Sequence, residues 1–415
     1  MSEPTTFSDS PQSAEIAVIG GGVIGMAIAL RLARDGREVV VIEPNEAGSG
    51  ASFGNAGTIA DYGVLPVANP GVLRNLAALA FDRDSPLSVR LAALPGLTPW
   101  IARFLRNCLP ARAEANAAAL GELLHDATSL WLEFAAEIGA SGHLHRNGGL
   151  YAYDTPQAMT AGAAEAAFRR RHGVELELLD GPQVAQMEPR LKPVAGAQFF
   201  PNAVNIDDPG EVMQKLATSL TEAGVLMVPR AVRRLERRGG RVHLLGDGLA
   251  IAVGTAVIAA GAHSRALSAQ AGDPLPLDTE RGYHIEYDMT EPLLRRVVCP
   301  VARGFYAVPM AGRLRFAGTV ELGGLGLPPD PARHALLERG ARAMFPHLGT
   351  PDRCWFGFRP SMPDSIPVIR RGRLGGDVIL AFGHGHLGLA LAPRTARMVA
   401  RLVAEQLGSA ARRGR

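Results

Sequence analysis

Three glycines at a fixed spacing and one acid make the clearest chemical demand in this chain: Gly20, Gly22 and Gly25, then Glu43 eighteen residues beyond the last glycine. A G-x-G-x-x-G turn suits a backbone that must come within contact distance of a pyrophosphate. Gly20 makes the sharp turn, Gly22 admits the phosphates, and Gly25 lets the following helix press on the preceding strand. Val23 and Ile24 open that helix, whose free N–H groups then face the diphosphate. A carboxylate at Glu43 can accept hydrogen bonds from a ribose diol and would repel an adenosine 2′-phosphate, which argues against NADP.

Two further stretches carry the same kind of chemistry. Gly48 to Gly57 reads GSGASFGNAG, so the N–H groups of Gly50, Ala51, Asn55, Ala56 and Gly57 and the Ser52 hydroxyl can lie against a phosphate or a flat ring. Gly383 to Gly388 reads GHGHLG, a second glycine turn opening a helix and aiming N–H groups at another partial negative charge. His384 and His386 have no acid or cysteine at ligand spacing, so a metal pair is disfavoured and backbone placement is the better reading.

These turns need elements to hold them. Glu15 to Ile19 and Val39 to Ile42 are apolar runs flanking a helical stretch in which Ala27, Leu30 and Ala33 point inward, the pattern of a βαβ unit. Asp208-Pro209 starts a helix to Ala223, followed by Val225 to Val228, Ala231 to Glu236 and a hairpin over Gly239-Gly240. Val253 to Ala260 then runs into Gly261, so the chain returns to the sheet it began. Strands are expected at 148–154, within 196–207, and at 281–288, 305–309, 314–320 and 377–382, with helices over 111–140, 331–345 and from the GHGHLG turn to about Gln406.

At 415 residues two domains are expected, and 47% hydrophobic with 20% charged residues is an ordinary globular composition. A net charge of +3 without basic-aromatic runs gives no footprint for nucleic acid. Cys108, Cys299 and Cys354 are far apart and fit a reducing compartment. Residues 1–13 are polar and read as a disordered leader, and no apolar run is long enough to cross a membrane. From Gly71 to Pro110, five arginines against Asp82 and Asp84, with Phe81, Trp100 and Phe104, could lie on an anionic membrane surface; helices packed on protein are the plainer reading.

Together the Gly20–Glu43 fingerprint, GASFGNAG, VIAAGAHS, GFRP…PDSIPVI and GHGHLGLALAP resemble the D-amino-acid oxidase superfamily of FAD enzymes, in particular its D-amino acid dehydrogenase branch. The resemblance spans almost the whole chain and is weak from about 71 to 195. It implies an α/β fold: a Rossmann-like FAD-binding domain (14–70, 205–270 and 357–415) interleaved with an α+β substrate-binding domain (71–204 and 271–356). It also implies that the glycine turns, Glu43 and the residues around Gly261 and Gly383 to Gly388 hold noncovalent FAD, with a backbone pair near Val232 reading the adenine.

By the same resemblance Arg359 would clamp a substrate carboxylate with its planar fork, and Tyr306 would share it. His386 would stand at the flavin. The implied reaction is oxidative deamination of a D-amino acid: hydride passes from the α-carbon to flavin N5, backbone carbonyls near Gly385 to Gly388 accept from the amine, and the imino acid hydrolyses. Electrons go on to quinone, another carrier or oxygen. A secondary amino acid such as D-hydroxyproline, sarcosine or glycine, an NAD-dependent Rossmann enzyme, and a flavin-holding subunit of a heteromeric dehydrogenase are the alternatives. The expected location is cytoplasmic, peripheral on the inner membrane face if 71–108 touches lipid.

Overall fold

The structure, a computed structural model, describes residues 11–74 and 85–413. Phe81, Asp82, Arg83, Asp84 and residues 1–10 of the expected leader therefore lie outside the described residues. Ser13 at the end of that leader already belongs to the first strand, Ser13–Ile19, with Ala252 as its partner. Its polarity reflects a solvated strand end and not a loop.

Val39–Ile42 is buried along its whole length, as a central parallel strand must be. It pairs in parallel with Ser13–Ile19 on one side and with Leu226–Val228 on the other. Beyond the first strand lies Leu249–Ile258, which serves two neighbours at once. Its lower half pairs antiparallel with the hairpin strand Arg241–Gly246, and its upper residues Ala256 to Ile258 pair in parallel with Gly375–Phe382. Eight strands complete this sheet. The hairpin turns on Gly239 and Gly240, both at positive φ, where side chains are disfavoured.

Helices Val23–Arg34, Pro209–Glu222 and Gly388–Arg413 cover one face, burying Met26, Leu30, Leu216, Leu220, Val399 and Val403 together. Asp208 caps the second of these, its carboxylate accepting from the N–H groups of Gly210 and Glu211. Ala127–Glu137 is tied to the last helix by Trp131, whose Nε1–H donates to the Leu389 carbonyl at 2.7 Å in the core.

A second, nine-stranded sheet runs Arg353–Ser361, Asp278–Asp288, Arg313–Leu322, Phe305–Met310, Val297–Pro300, Gly149–Tyr153, Gly196–Phe200, Glu177–Asp180, with Leu87–Val89 added beside Arg313–Leu322. Helix Pro331–Met344 packs Leu337 and Ala341 against its Phe305 and Phe316. Its edge strand ends at Ser361, which bridges directly to His384 and so brings the second sheet to the last glycine turn.

Within the arginine-rich stretch, helix Leu94–Asn107 turns Leu97 and Trp100 inward against Leu322. Trp100 is buried and its indole N–H donates to the Ser361 carbonyl at 3.1 Å, so this tryptophan serves packing and not a membrane face. No described helix is long and apolar enough to cross a membrane.

Candidate active site

A cavity of about 550 Å³ runs between the two large sheets. One end is the first glycine turn. Gly20 sits at φ +114°, and a Cβ there would lie 2.4 Å from the Ala259 carbonyl oxygen, so the turn and the strand Leu249–Ile258 meet backbone to backbone. A Cβ on Gly25 would fall 1.9 Å from the Gly20 carbonyl oxygen, which makes Gly25 the packing glycine. A Cβ on Gly22 would meet only the Ser52 hydroxyl, at 3.3 Å, because its remaining space is the cavity.

Helix Val23–Arg34 starts behind Gly22 with no side-chain cap, and Val23 N–H donates to the Ser52 hydroxyl at 2.9 Å. An uncapped N-terminus with its dipole aimed into a cavity favours an anion. Gly20, Gly22, Val23, Ile24, Glu43, Gly50, Ala51 and Ser52 all line this end. Glu43 is pre-set: one carboxylate oxygen accepts from Gly21 N–H at 2.8 Å and the other from Asn45 N–H at 3.0 Å.

The GASFGNAG loop is fastened by the second sheet. The buried Arg315 guanidinium donates to the carbonyls of Phe53 and Asn55, at 3.2 and 2.6 Å, while pairing with Glu286 at 2.7 Å. His284 Nδ1 lies 3.1 Å from the Gly54 carbonyl oxygen, its imidazole held down at about 3 by burial and then by Arg315. Trp355 covers Gly54 so closely that a Cβ there would reach its ring at 2.3 Å. A free linker would have none of these contacts. Asn55, Ala56 and Gly261 line the middle of the cavity.

Arg359, Tyr306, Glu280, Thr319 and His386 line the other end. Arg359 extends over Gly282, where a Cβ would come within 2.3 Å of its Cζ, and its Nη1 donates to the Thr319 carbonyl at 2.9 Å. Thr319 adopts φ +57°, a conformation that costs a β-branched residue energy, beside the register slip between Arg281 and Tyr283. That irregularity takes its carbonyl out of the ladder and makes it available to the guanidinium.

Burial pulls Arg359 below its ordinary value, with Glu280 and then Tyr306 opposing. Tyr306 meets Tyr151 hydroxyl to hydroxyl at 2.6 Å, and burial drives its phenol upward, so it stays protonated. His386 is crowded by protein yet open to the cavity; burial first, then Arg359, lowers its imidazole to about 4. His384 is buried, lowered to about 3, and placed 3.0 Å from the Thr395 hydroxyl. Both imidazoles are neutral near pH 7. Among the described residues no group of three or more His, Cys, Asp or Glu side chains stands close enough to hold a metal.

Gly385 and Gly388 line the cavity as expected, but Gly25, Gly57, Gly383, Leu387 and Val232 do not. Gly57 and Gly383 sit at positive φ, with the Ile206 carbonyl and Met362 where their side chains would be, so they shape turns. Leu387 is a core residue. Val232 lies before the strand Arg234–Arg238, its side chain packed on the core of the first sheet. Cys354 is exposed and does not line the cavity. Residues that motif reading missed are Gly21, Asn45, Glu280, Thr319 and Trp355. Only Gly21, inside the glycine turn, carried a signal.

A sheet with a parallel core, crossed by a glycine turn, a helix N-terminus and an anchored acid, defines a dinucleotide-binding fold, here with a cationic pocket at the far end of the cavity. The chain belongs to the FAD-dependent oxidoreductase family (DAO), whose model matches residues 15–402. It is 35% identical over 403 residues to a D-amino-acid oxidase of Bradyrhizobium diazoefficiens, covering 95% of this chain and 96% of that protein. It is 30% identical over 409 residues to D-amino acid dehydrogenase 2 of Mesorhizobium japonicum, covering 94% and 96%. Glycine oxidase from Geobacillus kaustophilus has the same fold, with a TM-score of 0.75 at 24% identity over 95% of this chain and 96% of that one. FAD is the cofactor, and the site fits it: the space at Gly22, the uncapped helix end and the fixed Glu43 all open into one cavity.

Proposed function

We propose that the protein oxidises an amino acid, a D-amino acid first of all, to the imino acid, which water then hydrolyses. The observation that carries this reading is Arg359: a guanidinium with one N–H held by the Thr319 carbonyl, facing the cavity that also holds the FAD end. A planar fork so fixed suits a carboxylate. The names of the two bacterial relatives support an amino acid as the substrate and leave both an oxidase and a dehydrogenase open.

In this reading Gly20, Gly22, Val23, Ile24, Glu43 and the loop from Gly50 to Gly57 hold FAD, which supplies a two-electron acceptor when bound. Arg359 and Tyr306 orient the carboxylate, Tyr306 donating its phenolic proton while accepting from Tyr151. Carbonyls of the turn Gly385–Gly388 accept from the amine, and His386 walls the site as a neutral imidazole. The chain's contribution is chiefly position. The segments 14–70, 205–270 and 357–415 are assigned to FAD binding, and 71–204 and 271–356 to substrate binding. A reducing cytoplasm fits three cysteines that are all unpaired, and electrons would leave to quinone, another carrier or oxygen.

The test is anaerobic bleaching of the purified yellow protein by D- and L-amino acids, sarcosine, glycine and D-hydroxyproline. A D-amino acid is expected to bleach at least tenfold faster than its L-enantiomer. Preference for sarcosine or D-hydroxyproline would move the assignment to secondary amines, and bleaching by none of the panel would sink it.

A further inference from the structure

An amino acid held by Arg359 through its carboxylate still carries an ammonium, which must lose a proton before its nitrogen lone pair can assist oxidation. Among the described residues, Glu280 is the one carboxylate lining the Arg359 end of the cavity. It stands opposite Arg359 across the antiparallel pair Asp278–Asp288 and Arg353–Ser361, so both side chains leave the sheet on the same face. The two form no ion pair, since Arg359 leans the other way, over Gly282 toward Thr319.

Glu280 is 5% exposed and opens into a small recess with Ser361, His384, Gly385 and His386, beside the turn assigned above to the substrate amine. A zwitterion lying along the sheet would set its carboxylate on Arg359 and its ammonium at Glu280. We propose that Glu280 receives the ammonium proton of the bound substrate.

In that step the N–H bond of R–CH(NH3+)–COO− breaks and an O–H bond forms on Glu280, giving R–CH(NH2)–COO− and a neutral carboxylic acid; no electrons are exchanged. Burial makes the neighbouring imidazoles poorer acceptors than a free histidine. His386 and His384 hold their protons only near pH 4 and 3, and Tyr306 is already protonated. Burial raises the Glu280 carboxyl, against the pull of Arg359 and then the Ser361 hydroxyl, which brings it closer to the proton it must take. Of the other charges on its strand and its neighbours, Asp278 pairs with Arg265, and Arg281 pairs with Glu321 on the opposite face.

The inference rests on the amino acid reading above, and the probes separate the two. 2-Aminoisobutyrate has a carboxylate and an amine but no α-hydrogen, so it binds without turnover; isobutyrate lacks the amine. Binding of each to the FAD-loaded wild type and to Glu280→Gln is read from the flavin spectrum at pH 7. The expected result is that Glu280→Gln weakens 2-aminoisobutyrate at least tenfold and isobutyrate less than twofold, and that its kcat/KM, down about a hundredfold at pH 7, recovers as pH approaches the ammonium pKa. Equal weakening of both probes, or no weakening of either, overturns the role of Glu280 while leaving the substrate class standing. Failure of the wild type to bind either probe overturns the amino acid reading and this inference with it. Glu280→Asp, which keeps the carboxyl, should retain selective binding of the amine if Gln disturbs folding.

Discussion

Arg359→Ala should lower kcat/KM for amino acids by roughly a hundred- to several-thousandfold while the protein stays yellow. Removing one member of a shielded charge pair costs about 3–5 kcal/mol, because the other charge is left without a partner, and about 1.4 kcal/mol corresponds to each tenfold. Arg359→Lys keeps the charge and loses the fork and the bond to the Thr319 carbonyl, so a smaller loss, on the order of ten- to a hundredfold, is expected. Amines without a carboxylate should lose little in either variant. Steady-state kinetics on a matched amino acid and amine read the difference, and an equal loss on both would make the arginine structural.

Gly22→Val should give a folded protein that purifies without flavin. The distinction between the glycines makes this a clean experiment. A side chain at Gly25 collides with backbone at 1.9 Å and should unfold the turn itself, whereas at Gly22 the first protein atom met is a serine hydroxyl at 3.3 Å. A branched side chain there can be housed only in the space meant for pyrophosphate. Native circular dichroism with absent 450 nm absorbance is expected from Gly22→Val, and a full complement of FAD in it would mean that the cofactor lies elsewhere.

The glycine turn, Glu43, the returning strand and the last glycine turn could be read from sequence because each combines a strict backbone demand with regular periodicity. Glu280 could not. Its strand alternates polar residues, Glu280, His284 and Glu286, with Tyr283, Ile285 and Tyr287, which reads as a half-exposed sheet face, yet both faces are buried. The polar face borders the cavity and the anchored loop, where Glu286 and His284 have partners rather than water. Thr319 was equally hidden, since its positive φ arises from a slip in pairing between distant strands. Trp100 left a lipid surface open beside the plainer reading of packed helices, because composition cannot reveal that a carbonyl 261 residues away waits for its indole N–H. Helix Pro156–Arg171 was passed over because an alanine-rich stretch buries few large side chains and leaves little periodic contrast.

The divided pairing of Leu249–Ile258 sets an order of events during synthesis. Until Gly375–Phe382 has left the ribosome, residues Ala256 to Ile258 are paired on one side alone, with Ser13–Ile19, and the turn that closes the far end of the cavity does not yet exist. Flavin capture is therefore expected late, after the early folding of the chain. An unpaired edge of this kind invites pairing with other chains. Nascent chains stalled before residue 375 are accordingly expected to hold no FAD and to depend on chaperones, whereas chains stalled with residue 413 clear of the exit tunnel should bind it, as ribosome-bound flavin fluorescence would report.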